Sequence, residues 1–264
     1  MKLNNIQSME KLSVVVITFN EENNIFRCIN SVKSIADEVV VIDSNSTDNT
    51  AKIAAEMGAK VINQPFLGYT EQKNFAVEQA KYSLVLSVDA DEAPSDELIK
   101  SIQNVKENPV CNGYIMNRLT NYCGTWIKHC GWYPDKKLRL FFKDKGKWVG
   151  GALHEKYELF DNSKVSFLKG DLLHYSYNSI EEHINQVKKF TAISAKELSD
   201  KGYKPSLIKI VFSSYVKFFR DYILKLGFLD GFHGYQIAKI SAFATYLKYA
   251  RTRDYNRLKE FEKR

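Results

Sequence analysis

The chain has 264 residues, a hydrophobic fraction of 44% and a formal net charge of +7 at pH 7. This length accommodates one α/β domain of ordinary size with an extension, and the apolar content excludes a disordered chain. A basic protein favours anionic partners such as nucleotide phosphates, nucleic acid or an acidic membrane surface.

The cysteine pattern and the hydropathy pattern bear on where the protein works. No pair of cysteines has C-x-x-C spacing, which is typical of reduced thiols in a cytosolic protein and argues against zinc. The first eleven residues contain no apolar core, and no uncharged apolar run is long enough to span a bilayer. We therefore expect a cytoplasmic protein that is soluble or lies on the inner face of the cytoplasmic membrane.

Strands and helices alternate with short connections over the first hundred residues. Aliphatic, β-branched runs predict buried strands at residues 12–17, 38–43, 60–62 and 84–88. Helices are predicted between them, the first with Asn20 as its N-cap and the third over Gly68–Lys81. This alternation predicts βαβ units and a parallel sheet.

The pattern changes after Pro109. Segments of partly alternating polarity predict strands at Gly113–Leu119 and Leu138–Phe142, and the chain from Ile180 onward predicts helices. We place a boundary near residue 178 and expect a catalytic domain over residues 1–178 and a helical extension over residues 179–264.

The strand at residues 84–88 runs directly into three acids, Asp89, Asp91 and Glu92. In an open parallel sheet, ligands bind beyond the carboxyl ends of the strands. Two carboxylates this close repel each other unless a cation lies beside them, which favours a divalent metal that carries a phosphorylated substrate. The alternative is an acidic turn before the next helix, because so short a pattern recurs by chance.

Two further strand ends deliver polar groups to the same edge of the predicted sheet. They are Thr18–Glu21 and Asp43. Asp43 could accept hydrogen bonds from a base or a ribose, or it could cap the polar loop that follows it. The convergence of three polar strand ends favours a binding site over separate capping at each end.

The segments TFNEENNI, VVIDSNSTDNT, EQKNFA and VDADE follow each other in this order. Through them the chain resembles the family 2 glycosyltransferases, which have the GT-A fold, a Rossmann-like α/β fold that binds nucleotide-diphospho-sugars. The resemblance implies that Thr18, Asn20 and Glu21 line the nucleotide pocket, with Asp43 on the base.

The same resemblance implies roles for later residues. Asp89 would contact the ribose or the metal, and Asp91 would ligate the Mg²⁺ or Mn²⁺ bound to the diphosphate. Lys73 would lie near the nucleotide, with a solvated helix face as the alternative. In place of the family's usual Glu-Asp pair this chain has His154 and Glu155, which could also merely close a turn.

Sugar transfer requires cations that stabilise the leaving group and a base that deprotonates the acceptor. A departing diphosphate gathers negative charge, which a metal and nearby cations stabilise; Lys136, Lys137 and Arg139 are candidates, with a basic surface strand as the alternative. The incoming hydroxyl must lose its proton to a carboxylate or imidazole within hydrogen-bond reach. We expect Glu155 as the base, His154 as a metal ligand or the base itself, and inversion by single displacement.

The later segments LRLFFKDKGKWVGGALHE and FFRDYILKLGFLDGFHGYQIA resemble the lipopolysaccharide core glucosyltransferases. This implies transfer of a sugar, with glucose as first candidate, from a UDP-linked donor to a glycan or lipid-linked acceptor such as the lipopolysaccharide inner core. Trp126, Trp132 and Tyr133 could stack on acceptor sugars or pack locally. The basic, amphipathic segment Ile208–Leu226 suits an anionic membrane surface, although packing against the catalytic core is the commoner use of such a stripe.

Two other functions compete with sugar transfer. A sugar nucleotidyltransferase needs a glycine-rich phosphate loop near the amino end, and none follows Ile17. A non-enzymatic protein would bind nucleotides or an anionic surface through its positive charge. Binding to nucleic acid is not expected, because it needs a clustered basic patch with interleaved aromatic residues, whereas the basic residues here are scattered.

Overall fold

The computed structural model describes residues 9–151, 155–160 and 163–262. Its strands are β1 (Leu12–Thr18), β2 (Glu38–Asp43), β3 (Lys60–Asn63), β4 (Leu84–Asp89), β5 (Glu92–Pro94), β6 (Gly113–Tyr122), β7 (Thr125–Ile127), β8 (Asp135–Phe142), β9 (Gly146–Val149), β10 (Lys156–Leu159) and β11 (Val165–Tyr177). Its helices are α1 (Ile25–Val32), α2 (Thr50–Glu56), α3 (Tyr69–Gln79), α4 (Asp96–Glu107), α5 (Ile180–Asp200), α6 (Leu207–Phe219) and α7 (Gly231–Glu262).

The large sheet has the strand order β3-β2-β1-β4-β8-β6-β11-β5, with β7 paired to β6. The four strands β3, β2, β1 and β4 are parallel, as the alternation of strands and helices predicts. β8 then runs antiparallel to both β4 and β6, and β5 runs antiparallel to β11. β9 and β10 form a separate antiparallel pair.

The central strands are apolar on both faces because helices cover each side of the sheet. Val14 of β1 and Leu86 of β4 belong to one buried cluster, whereas their neighbours Val15 and Val85 belong to a second cluster on the opposite face. Successive side chains of a strand point to opposite faces, so an uninterrupted apolar run is what such a strand requires.

The predicted helix cap at Asn20 is wrong. α1 begins at Ile25, and Asn20 has a φ of 55°, a left-handed conformation that asparagine tolerates better than most residues. Its side-chain oxygen accepts a hydrogen bond from the Thr47 amide at 2.8 Å. Asn20 therefore joins the polar loops after β1 and β2. The N-cap of α4 is Ser95, whose hydroxyl accepts a hydrogen bond from the Leu98 amide.

The chain forms two compact units. The first contains the residues up to Arg118 together with Asp135–His174, and the second contains Leu119–Pro134 together with the chain from Tyr175 onward. The boundary near residue 178 stays a prediction. Among the described residues, no helix is long and apolar enough to cross a membrane.

An aromatic cluster lies at the core of the second unit. The rings of Trp132, Tyr177, His183 and His233 surround that of Tyr122. His183 is 4% exposed, and its Nδ1 lies 3.2 Å from the Tyr122 hydroxyl. Burial disfavours the imidazolium form and lowers the pKa of His183 from 6.5 to about 4.

We expect His183 to make the stability of the protein fall with acid. The unfolded chain takes up this proton near pH 6.5, whereas the folded chain does so near pH 4, so the free energy of unfolding drops by up to about 3 kcal/mol across this interval. Urea unfolding at pH 7 and pH 4.5 should show a clearly smaller drop for His183→Phe than for the wild type. Equal drops in both proteins would contradict this assignment.

Candidate active site

Asp89, at the end of β4, is held between two cations. Its carboxylate lies 2.8 Å from Nη2 of Arg139 on β8 and 3.1 Å from Nζ of Lys73 on α3. β8 is the antiparallel neighbour of β4, which brings Arg139 beside the strand end. Burial alone would raise the pKa of Asp89, but Arg139 and Lys73 hold that pKa well below its usual range.

Lys73 is buried, with 1% of its surface exposed, so the alternative of a solvated helix face is wrong. Its ammonium also pairs with Glu155 at 3.0 Å and lies 4.7 Å from the centre of the Trp148 ring. A buried ammonium needs paired charges around it. Lys73 thereby ties Glu155, which follows β9 along the chain, to the acidic end of β4.

Glu92, the third acid of the motif, is fully buried. It accepts hydrogen bonds from the Asp89 amide at 3.0 Å, from Arg139 at 3.3 Å and from Arg118 at 3.5 Å. Arg118 also pairs with Asp135 at 2.8 Å. Glu92 is therefore an internal anchor that fixes the turn after β4, a role that the sequence motif does not reveal.

The candidate cations on β8 have different environments. Arg139 is buried, so the alternative of a surface strand is wrong for this residue. Lys136 is exposed, as a surface strand would have it. Lys137 pairs with Asp135 at 3.1 Å. Of the three predicted cations, the structure brings Arg139 to Asp89.

Asp91 meets a histidine that comes from much later in the chain. β5 pairs with β11 so that His174 stands opposite Glu92, and its Nε2 lies 3.1 Å from Oδ2 of Asp91. His174 has no motif around it, and no strand is predicted from the sequence over its segment, which the structure shows as β11. Among the described residues no group of three or more acidic, histidine or cysteine side chains is arranged to hold a metal.

The loops after β1 and β2 are joined by polar contacts. Thr18 and Asp43 lie side by side in the register of these strands. Asp43 is buried and accepts hydrogen bonds from the amide of Ser46 at 2.8 Å and from its hydroxyl at 2.5 Å. The capping alternative for Asp43 is thus realised in the structure, and contact with a base stays a prediction.

Glu21, in the loop after β1, is close enough to the acids that follow β4 for the charge of Asp91 to act on it. Its amide donates to the Thr50 hydroxyl at 2.7 Å, and its carboxylate accepts from the Asn24 amide group at 2.7 Å. Burial raises the pKa of Glu21 to about 6, and the negative charges of Asp91 and Asp48 act in the same direction. Glu21 therefore changes its charge close to neutral pH.

The remaining candidates have different positions. His154 lies outside the described residues. Trp132 packs on Tyr122 inside the second unit, whereas Trp126 lines a cavity of about 560 Å³ together with Lys128 and His129. Stacking on an acceptor sugar therefore stays open for Trp126.

Comparison with known proteins identifies the family. The family model described as Glycosyl transferase family 2 matches residues 13–163, more than half of the chain. The chain belongs to glycosyltransferase family 2. The predicted fold class, a GT-A α/β fold with a helical carboxyl-terminal part, and the predicted transferase activity are confirmed. Membership of this family decides against a sugar nucleotidyltransferase and against a non-enzymatic binding protein.

Relatives of this glycosyltransferase cover nearly the whole chain. An uncharacterized glycosyltransferase of Rickettsia typhi is 34% identical over 93% of this chain and 88% of its own length. The lipopolysaccharide core biosynthesis glycosyltransferase LpsC of Rhizobium meliloti is 27% identical over 90% of this chain and 93% of its own.

Solved structures are more distant from the glycosyltransferase. Staphylococcus aureus TarS 1–349 is 16% identical, with a TM-score of 0.46 over 96% of this chain and 92% of that one. Mycobacterium tuberculosis glucosyl-3-phosphoglycerate synthase, in complex with Mn²⁺, UDP-glucose and phosphoglyceric acid, is 23% identical, with a TM-score of 0.36 over 42% and 44% of the two chains.

Replacement of Lys73 tests the ion-pair network of the glycosyltransferase. Lys73→Met leaves Asp89 and Glu155 without their shared ammonium, which we expect to lower the free energy of unfolding by about 3 kcal/mol. Lys147→Met removes an exposed lysine of β9 and should change it by less than about 0.5 kcal/mol. Urea unfolding measures both variants, and similar values for the two would contradict the network.

Proposed function

We propose that this glycosyltransferase is inverting and moves a sugar, with glucose as first candidate, from a UDP-linked donor to a glycan or lipid-linked acceptor. One observation carries the proposal: Lys73, Asp89, Arg139 and Glu155 share one ion-pair network at the end of β4. Asp91 lies beyond that strand end, in the position where open α/β sheets bind their ligands.

The charges of the network indicate whether its cations can neutralise the diphosphate of the donor. Arg139 is matched by Asp89 and Glu92, and Lys73 is matched by Asp89 and Glu155. These two cations therefore hold Asp89 in place, where it would face the ribose of the donor. Their positive charge is already compensated, so the diphosphate leaving group requires a further cation.

Asp91 and His174 fit a divalent metal. A carboxylate oxygen and an imidazole nitrogen 3.1 Å apart are both metal donors, and Mg²⁺ or Mn²⁺ takes few protein ligands when substrate phosphates supply the rest. When bound, the metal would neutralise charge on the departing diphosphate. The Asp89 carboxylate faces Lys73 and Arg139 instead, so we assign metal ligation to Asp91. The predicted role of His154 stays open.

Glu155 is our candidate for the general base. Its carboxylate is positioned by Lys73 at 3.0 Å, and a base must be held within hydrogen-bond reach of the acceptor hydroxyl. One base that removes one proton suits a single displacement, and a single displacement inverts the anomeric carbon. If Glu155 only anchored Lys73, its amide replacement would affect stability more than turnover.

The acceptor proposal draws on the relatives. Similarity to LpsC, a lipopolysaccharide core biosynthesis glycosyltransferase, supports an acceptor in the lipopolysaccharide core, and we propose its inner part. Lipid-linked acceptors of this kind would place the enzyme in the cytoplasm, at the inner face of the cytoplasmic membrane.

The base assignment is tested by Glu155→Gln. We expect the wild type to release UDP from UDP-glucose in the presence of Mn²⁺ and an inner-core acceptor, and the variant to do so about 10²- to 10⁴-fold more slowly. UDP binding, measured by calorimetry, should change less than about twofold, because the amide keeps the shape of the side chain.

Glu158→Gln is the matched control for this test. Glu158 is an exposed glutamate of β10, only three residues away, and its replacement should leave turnover near that of the wild type. Full turnover by Glu155→Gln would remove Glu155 from the mechanism. Absence of turnover with a panel of nucleotide sugars, UDP-glucose included, would contradict the proposed donor class.

The metal assignment predicts that Asp91→Asn and His174→Ala weaken Mn²⁺ binding in the presence of UDP. We expect at least about a tenfold loss for each, because each removes one of two protein donors. Electron paramagnetic resonance of free Mn²⁺ measures the loss independently of turnover. Asp96→Asn, on an exposed position in the first turn of α4, is the control; unchanged binding in all three variants would exclude this site.

A further inference from the structure

The second unit carries an apolar surface on α6 and on the two turns that follow it, a π-helical turn at Arg220–Leu224 and a 3₁₀ turn at Gly227–Asp230. Thirteen large apolar side chains between residues 207 and 232 are exposed: Leu207, Ile208, Val211, Phe212, Tyr215, Val216, Phe219, Ile223, Leu224, Leu226, Phe228, Leu229 and Phe232. We call this set the apolar surface. Exposed apolar clusters of this size usually mark an interaction site.

The amphipathic stripe predicted over Ile208–Leu226 is exposed where it lies on α6. The residues of the predicted apolar face that lie on α6 are 46% to 71% exposed: Ile208, Val211, Phe212, Tyr215 and Phe219. Among the described residues of α6, only Ile210 is buried. This exposed apolar face is therefore accessible to a binding partner.

Ring contacts and a close backbone approach hold the apolar surface together. Phe218 stacks on Tyr222 at 5.4 Å between ring centres, and Tyr222 lies 6.3 Å from Phe228. At Gly234, on the first turn of α7, an added Cβ would lie 1.9 Å from the carbonyl oxygen of Gly227. Only a glycine permits this contact, which seats the 3₁₀ turn directly on α7.

Every exposed charge within residues 207–232 is positive. The exposed charged residues are Lys209, Arg220 and Lys225. Of the two acids in this segment, Asp221 is buried and pairs with Lys217 and Arg220. The other, Asp230, has a side chain that is 5% exposed and contacts His129 at 2.8 Å. Within residues 207–232, the exposed charges beside the apolar surface are thus all positive.

We propose that the apolar surface binds a membrane that contains anionic lipids, with α6 lying in the plane of the interface. Aliphatic and phenylalanine side chains on one face, with lysine and arginine beside them, are the composition of helices that insert into the headgroup region. Negatively charged lipids add attraction for each nearby lysine or arginine.

The charges distinguish this partner from a second copy of the chain. In a symmetric dimer the same patch would face itself, so Lys209, Arg220 and Lys225 of both copies would be brought close together. Like charges across an interface oppose association. An anionic lipid surface instead complements the apolar side chains and the cations at once.

Flotation of the full-length protein with lipid vesicles tests the proposal, and it needs neither donor nor acceptor. We expect the wild type to float with vesicles of phosphatidylcholine that contain about one-third phosphatidylglycerol, and to bind at least about tenfold more weakly to pure phosphatidylcholine. Raising NaCl from about 0.1 M to about 0.5 M should weaken binding, because salt screens exposed charges.

Matched variants locate the binding surface. Val216→Glu on α6 should reduce binding at least about tenfold. Val110→Glu, in the first unit, changes a valine of nearly equal exposure, 66% against 65%, and should leave binding unchanged. Lys209→Gln combined with Lys225→Gln should weaken binding about 30-fold, since each lysine near an anionic surface contributes about fivefold.

A second measurement covers the case in which Val216→Glu fails to fold, as judged by circular dichroism. Vesicles of brominated lipids should quench the tryptophan fluorescence of Phe232→Trp more strongly than that of the wild type. Val110→Trp should show no such additional quenching. Failure of the wild type to float with anionic vesicles, or equal loss in Val216→Glu and Val110→Glu, would overturn the proposal. A concentration-dependent dimer that Val216→Glu abolishes, without any flotation, would assign the surface to a second copy instead.

Discussion

The structure of the first unit depends on one carboxylate, Asp89, placed between two buried cations. Without Asp89, the buried cations of Lys73 and Arg139 would lack part of the negative charge that compensates them. An unpaired buried charge is strongly destabilising. Their side chains come from α3 and β8, so the ion pairs tie a helix and an antiparallel strand to the parallel sheet. Buried ion pairs add little net stability but penalise wrong arrangements, and this one fixes where the acids after β4 project.

The second unit distributes polarity in a different way. His183, Asp221 and Thr252 are buried there, while thirteen large apolar side chains of the apolar surface face outward. A protein that met only water would gain free energy from the opposite arrangement, because each large apolar side chain contributes roughly 1.5–3 kcal/mol when it leaves water. The two units therefore combine distinct surface chemistries in one chain: a charged, inward-paired site and an outward-facing apolar one.

Local signals in the sequence predict part of this structure. The strands at β1, β2 and β4 are confirmed because uninterrupted apolar runs between short helices leave little other choice. His174, Glu92 and Arg118 escaped prediction as partners, because antiparallel pairing after β4 joins residues with no shared motif. The burial of Lys73 was equally hidden, since the polar residues of α3 do not fall on one face. The apolar stripe of α6 is visible in the sequence, but an amphipathic pattern does not show whether the stripe contacts protein or a lipid surface.

The contact between Asp91 and His174 has a consequence for how the molecule is assembled. Residues 13–163 carry the full family match, yet the imidazole that meets Asp91 lies beyond them, on β11. During synthesis the parallel strands emerge first, whereas β11 begins about seventy residues after the end of β5. Contacts of such long sequence separation form slowly. A polypeptide shortened to the matched segment would keep the four segments that carry the family resemblance and would still lack His174, the partner of Asp91.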